Sequence, residues 1–310
     1  MRVWALHLAV LAALLAAGLL LPGYHTTNLA RILVLATFAA GYNLAFGYTG
    51  LLGLGHAMFF AAGMYAAALP AWHWGWPAAA ALPAGIAGGA LMALAAGALA
   101  LRTAGVSFMI VTLMFAQAFA LAILHFNGWT GGDEGFVLPD ASRRLFGASL
   151  AADTPRFLAA WGLFALGLLL SLALVRSRFG RVMVALRENE ERARMLGIDP
   201  FAAKLKVMVL SGAWSGAAGA AYALLFGYAG GSFAGIQYSI LPMLYVLLGG
   251  AGTTLGAALG AGLMFYLTEF ASSVTSAWLF LVGLALVVLV LFAPKGILGW
   301  VRARLWRGLP

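Results

Sequence analysis

Few residues in this 310-residue chain have side chains able to do chemistry, and they are spread thin. His56 sits in "GLGHAMFF", while Arg31 and Glu269 stand alone in apolar runs. A carrier coupled to protons or sodium typically places carboxylates within its helices, and a proton relay needs several ionisable groups at depth. His56 has no such neighbour in sequence. It reads either as a hydrogen-bonded core group or as a donor lining a path for a polar solute. Glu269 reads as half of a structural ion pair, with Arg31 as the candidate partner. Nucleotide chemistry would need G-x-x-x-x-G-K-[ST], which is absent. H-E-x-x-H, G-x-S-x-G and clustered acid pairs are absent too. With no cysteine there is no thiol nucleophile, disulfide or thiolate metal site. No catalytic residue, metal site or bound cofactor is expected. What remains is recognition and passage of a solute.

Charge is concentrated in one place. The stretch 176–206, "RSRFGRVMVALRENEERARMLGIDPFAAKLK", carries 12 of the chain's 27 charged residues. From 181 to 197 the spacing predicts one amphipathic helix, with Val182, Leu186, Ala193 and Leu196 on a single stripe. Arg187–Glu191, Glu188–Arg192 and Glu190–Arg194 are opposite charges at i,i+4, each contributing about 0.2–0.5 kcal/mol. Gly197 is a natural stop and Pro200 prevents continuation. The element reads either as a solvated face or as a docking helix whose apolar stripe enters a partner's groove.

The rest of the chain dictates where these residues sit. It is 64% hydrophobic and 9% charged, with a mean hydropathy of +0.99. Soluble domains are about 45–50% apolar and about 25% charged, so the solvent must be a bilayer. The fold class is an all-α polytopic membrane protein, residues 1–310 forming one transmembrane domain. Apolar runs at 3–21, 29–46, 49–69, 78–101, 106–126, 157–175, 207–226, 236–248, 255–270 and 277–292 give about ten spans. The count is eight if the glycine-broken run 49–69 and the short, Pro242-containing run 236–248 are re-entrant. The first run is too long for a signal-peptide core and reads as a span. Basic residues favour the cytoplasmic side. That puts 176–206 and the four Lys/Arg of 295–307 inside, and the loop 127–156, with four acids against three arginines, outside. Both termini are then cytoplasmic. The net charge of +9 follows from topology rather than from a nucleic-acid partner. Pro22, Pro70, Pro77 and Pro155 read as span edges, and Trp72, Trp74 and Trp76 as an interfacial belt.

Irregular backbone at membrane depth is tolerated only when buried in protein or facing a wet cavity. Two segments invite it. Residues 48–64 combine Tyr48, Thr49, Gly50, Gly53, Gly55, His56 and Gly63 just after Asn43, and residues 227–252 run from "GYAGG" through Pro242 to "LLGGAG". A "GY-x-G" opens each, at 47–50 and 227–230, as in repeat-built transporters.

Several of these motifs resemble one family. "SRFGRVMVALRENEERARMLGID" is similar to the cytoplasmic loop of permease subunits of branched-chain amino acid ABC importers of the LivM type. Within it, Glu191-x-Ala193-x-x-x-Gly197 looks like the E-A-A-x-x-x-G loop of bacterial importers. "GYNLAFGYTGLLGLGHAMFFAAGMYAAAL", "LRTAGVSFMIVTLMFAQ", "WTGGDEGF", "VLLGGAGTTLGAALGAGLM" and "LFAPKGILGW" resemble further family motifs, in the family's order. Leu51 and Gly53 depart from it, standing where Gln and Ser are frequent. The resemblance implies an importer subunit in the bacterial inner membrane, working with a homologous second permease, two cytoplasmic ATPases that use the ATP, and an external solute-binding protein. Arg187, Glu188, Glu191, Ala193 and Gly197 would contact the ATPase. Trp129, Thr130, Gly131 and Gly132 would meet the binding protein. Asn43, Tyr48, Thr49, Gly50, Gly55, His56, Gly249 and Gly250 would line the path. The expected solute is a branched-chain amino acid, with other amino acids, urea or short amides as alternatives. A carrier or channel that works without an ATPase is the competing reading.

Overall fold

With no water in hydrocarbon to satisfy N–H and C=O groups, apolar chain must close its own hydrogen bonds, and it does so here as helices. The structure, a computed structural model, describes residues 2–145, 147–275 and 296–304, with positions 277, 280, 281, 283, 284 and 287 between them. The helices are α1 (Arg2–Leu20), α2 (Gly23–Asn43), α3 (His56–Trp74), α4 (Ala78–Ala100) and α5 (Gly105–His125). After a short α6 (Asn127–Thr130) come α7 (Asp153–Arg176), α8 (Arg178–Glu188), α9 (Glu190–Met195) and α10 (Pro200–Phe226). The chain continues with α11 (Ile236–Gly249), α12 (Gly256–Val274) and α13 (Gly296–Arg304). Two minimal antiparallel pairs complete it: β1 (Phe136–Val137) with β4 (Tyr228–Ala229), and β2 (Arg144–Leu145) with β3 (Ala148–Ser149). The protein is an all-α polytopic membrane protein. Seven described helices (α1, α2 with the turn that follows it, α4, α5, α7, α10 and α12) are long and apolar enough to cross a bilayer. The expected tenth span, 277–292, lies mostly outside the described residues, as do Lys295 and Arg307 of the basic tail.

Several expected boundaries move. The second span starts at Gly23 rather than 29, because Pro22 opens the helix and the polar turn after it is helical although not apolar. The run 49–69 is not one element: residues 49–55 are irregular, α3 starts at His56, and it continues through Pro70 to a left-handed Gly75. Trp72 and Trp74 therefore ride on its last turn. The predicted helix 181–197 is two helices, broken at Asn189.

α2 is the central post, 83% of its most apolar window being buried. α7, α10, α11 and α12 pack against it, and on the outer side of α10 the helices α3, α4 and α10 pack almost backbone to backbone through small residues, as bilayer helices do when no hydrophobic effect drives them together. A Cβ on Gly63 would lie 2.2 Å from the Gly216 Cα, and one on Gly89 2.6 Å from the same atom. The order helix, break, helix, tight turn, helix occurs twice, as α2–α3–α4 and as α10–α11–α12. The two breaks face opposite ends. Gly47 is tied to α8 through Arg187, whereas Gly227 lies against Arg143 in the 127–156 loop, at the far end of α7 and α10.

Candidate functional site

The charged island folds because its ends are capped. Ser177 Oγ accepts from the N–H of Phe179 and of Gly180, opening α8. Asn189, in extended conformation (φ −161°), ends α8, and its Oδ1 accepts the Arg192 N–H at 2.9 Å to open α9. Asp199 opens α10 in the same way, and Gly197 takes φ +81° before it. The break rotates α9 and cancels two predicted pairs, Arg187–Glu191 and Glu188–Arg192. Glu190 keeps Arg194 at 3.8 Å and gains Lys204 at 2.5 Å. Met183, Leu186 and Ala193 are buried against the body, but Leu196 leaves the stripe and is 79% exposed beside Met195 at 85%. Glu188 and Glu191 are exposed and form no salt bridge among the described residues. The element thus presents an apolar tip with a charged rim.

Arg187 points the other way. Its Nη1 donates to the Gly47 carbonyl at 2.5 Å, inside the wide π turn of Leu44–Tyr48 that ends α2. Such turns often mark functional positions. Gly50, at φ +78°, lets the chain turn where a Cβ would come within 3.0 Å of the Arg187 Cγ. Asn43, one residue before the π turn, clamps the second broken segment: its Nδ2 donates to Thr253 O at 2.9 Å and its Oδ1 accepts the Gly252 N–H at 2.9 Å. Thr254 Oγ1 pairs with His7 Nε2 at 2.7 Å. Thr49 Oγ1 donates to Leu44 O at 2.9 Å, and Tyr48 is buried in the same cluster. Gly249 abuts Gly256, and Gly250, at φ +120°, turns the chain. Asn43, Tyr48, Thr49, Gly50, Gly249 and Gly250, read separately from sequence, therefore converge on one junction with Arg187.

Gly55 and His56 belong to another group, at the start of α3. A Cβ on Gly55 would meet Thr112 O at 2.6 Å, and Leu54 N–H donates to Thr112 Oγ1. His56 is buried between Tyr42 and Phe59. Its Nε2 lies 2.8 Å from Ser211 Oγ, which donates to the Gly41 carbonyl at 2.7 Å. Since that hydroxyl proton is committed to Gly41, Nε2 must carry the imidazole proton. Ala57 N–H donates to Ser239 Oγ on α11, so the helices that follow the two breaks meet start to start. Sequence reading missed Thr112, Ser211 and Ser239. Small hydroxyls within apolar runs were the available signal.

At the opposite end, Trp129, Thr130, Gly131 and Gly132 form a lip. Trp129 is exposed with its ring 5.0 Å from that of His73, and Thr130 Oγ1 donates to Ile123 O at 2.6 Å. Gly131 and Gly132 take φ +70° and +56°, and Gly132 O accepts the Gly231 N–H. Below the lip, Arg143 donates to the carbonyls of Leu224 and Leu225 at 2.9 and 2.8 Å, closing the α10 C-terminus, and pairs with Asp140 at 3.1 Å. Burial pushes the Arg143 pKa down, and Asp140 partly opposes this. The expected Arg31–Glu269 pair is absent: Glu269 instead accepts from the Tyr24 hydroxyl.

The family model for the permease component of branched-chain amino acid transport systems matches residues 25–292. The chain is similar to the high-affinity branched-chain amino acid transport permease LivM of Escherichia coli (strain K12), 29% identical over 97% of this chain and 76% of that protein. A probable LivM of Methanocaldococcus jannaschii is 30% identical over 48% of this chain and 44% of its own. The autoinducer 2 import permease LsrC of Klebsiella pneumoniae is 32% identical over 46% and 41%. No solved structure matches significantly.

Proposed function

The chain belongs to the branched-chain amino acid transport permease family, as a membrane permease subunit of an ABC importer, and from that premise we propose that it carries a branched-chain amino acid inward across the bacterial plasma membrane. It does so beside a homologous permease, with a solute-binding protein at the Trp129–Gly132 lip and two ATPases at α8–α9. Both termini and α8–α9 are cytoplasmic, the partners use the ATP, and this chain binds no cofactor and catalyses nothing. An amino acid is favoured over the autoinducer of the LsrC relatives because the LivM likeness runs along nearly the whole chain and the LsrC likeness along half.

One observation carries the mechanism: α8–α9 faces two ways. Met195, Leu196, Glu188 and Glu191 are exposed for a partner, while Arg187 holds the carbonyl at the end of α2. Movement of the docking tip therefore pulls on the π turn, and through Asn43 on the turn that ends α11. The first break and the α11–α12 turn shift together and change which end of the path is open. The test is leucine uptake by vesicles holding the whole importer. Uptake that stops when ATP is removed supports the reading, and uptake that continues on an ion gradient overturns it.

A further inference from the structure

Arg31 was expected to pair with an acid and does not. Among the described residues it makes no hydrogen bond or salt bridge. Its Nε is buried without a partner, and its guanidinium lies 5.1 Å above the ring of Phe226. Two of the three arginines in the 127–156 loop are occupied: Arg143 and Arg156 hold α10 carbonyls and pair with Asp140 and Asp153, while Arg144 is exposed on β2. One helical turn before Arg31, on the same face of α2, is Asn28. It is 7% exposed, and its Nδ2 is likewise buried without a partner. The Phe226 ring beneath Arg31 packs 4.8 Å from that of Tyr222 on α10, and Phe233 bridges Tyr222 to Tyr238 in the first turn of α11. Three helices, one of them the second broken segment, thus meet around two unanswered donors.

An unpaired cation within a span is costly, and such groups persist where they serve a ligand. Buried donors rarely go unpaired. A guanidinium and an amide NH2 can only donate, so what completes them is an acceptor. A carboxylate also balances the charge and matches the planar fork of arginine with two oxygens. We infer that Asn28 and Arg31 form a recognition site for the carboxylate of the transported solute, in the outer part of the protein where the binding protein hands its cargo over. The identity of the carboxylate's bearer rests on the proposed function; the donor site does not. A lipid phosphate is the other source of an oxyanion at this depth.

The whole importer in nanodiscs tests this, without ATP, by equilibrium binding of radiolabelled leucine. In the wild type, 4-methylpentanoate, which has the carboxylate but no amine, should displace leucine, and leucinamide, which lacks the carboxylate, should not. Arg31→Gln should weaken leucine binding at least tenfold, and Arg31→Lys by less. Because the glutamine variant removes an unpaired charge, its melting temperature should stay level or rise. Unchanged leucine affinity in Arg31→Gln overturns the inference, as does a lower melting temperature with affinity retained, which would mark a structural cation. So does an Arg31-dependent melting shift between phosphatidylcholine and phosphatidylglycerol discs with no effect of leucine, which would assign the site to lipid. A wild type that binds no carboxylate solute also overturns it. If the wild type ignores leucine but binds another carboxylate solute, and Arg31→Gln loses that binding, the leucine reading fails and the site stands.

Discussion

Replacing Arg187 with alanine removes the link between α8 and the end of α2. The Nη1–Gly47 bond is charge-assisted and 2.5 Å long. Hydrogen bonds to charged groups contribute about 1.5–3 kcal/mol. The body of Arg187 is exposed, so the lower end applies, about 1.5 kcal/mol, or roughly tenfold in an equilibrium. Met195 and Leu196, on α9, are untouched, so assembly with the ATPases should survive. In proteoliposomes holding the complete importer, ATP hydrolysis should continue while solute imported per ATP falls about tenfold. Arg187→Lys keeps the charge as a single point donor and should fall between. An unchanged transport-to-hydrolysis ratio in Arg187→Ala refutes the link. Loss of ATPase association together with transport would show that Arg187 acts in docking alone.

Two further substitutions probe the frame. Gly63→Ala drives a methyl into the Gly216 backbone, 2.2 Å away, at a cost of about 1–3 kcal/mol; the melting temperature in detergent should drop by several degrees, whereas Gly162→Ala, with nothing within 4 Å, should leave it unchanged. Arg143→Gln strips donors from the buried carbonyls of Leu224 and Leu225, at about 1–3 kcal/mol; amide exchange across 224–229 should accelerate at least fivefold, with no change in α8–α9.

The fold class and the helical character of the charged island were legible because they rest on composition and local charge. The break inside that island was also written locally: Asn189 ahead of two glutamates is a helix-opening pattern, but the unbroken ladder of i,i+4 charges masked it. Counting apolar residues misplaced the start of α2, since Tyr24, His25, Thr26, Thr27 and Asn28 are polar yet helical. The junction was half legible. Its glycines and Asn43 stood out as unusual in a bilayer, yet their convergence depends on contacts some 209 residues apart, which one sequence does not encode visibly. Charge complementarity misled at Glu269, where a tyrosine hydroxyl answers the acid and leaves Arg31 alone.

The side of the membrane on which the α8–α9 tip lies, and the subunit that grips it, decide whether ATP drives this permease. The chain has no cysteine, so Met195→Cys and Leu196→Cys each give a single addressable thiol on an exposed site. Thiol labelling with a membrane-impermeant reagent, followed by crosslinking in the assembled importer, reads both facts. The expected result is labelling from the cytoplasmic side only and capture of the subunit that hydrolyses ATP. Labelling from outside the cell, or crosslinks that never reach an ATP-hydrolysing subunit, would contradict it.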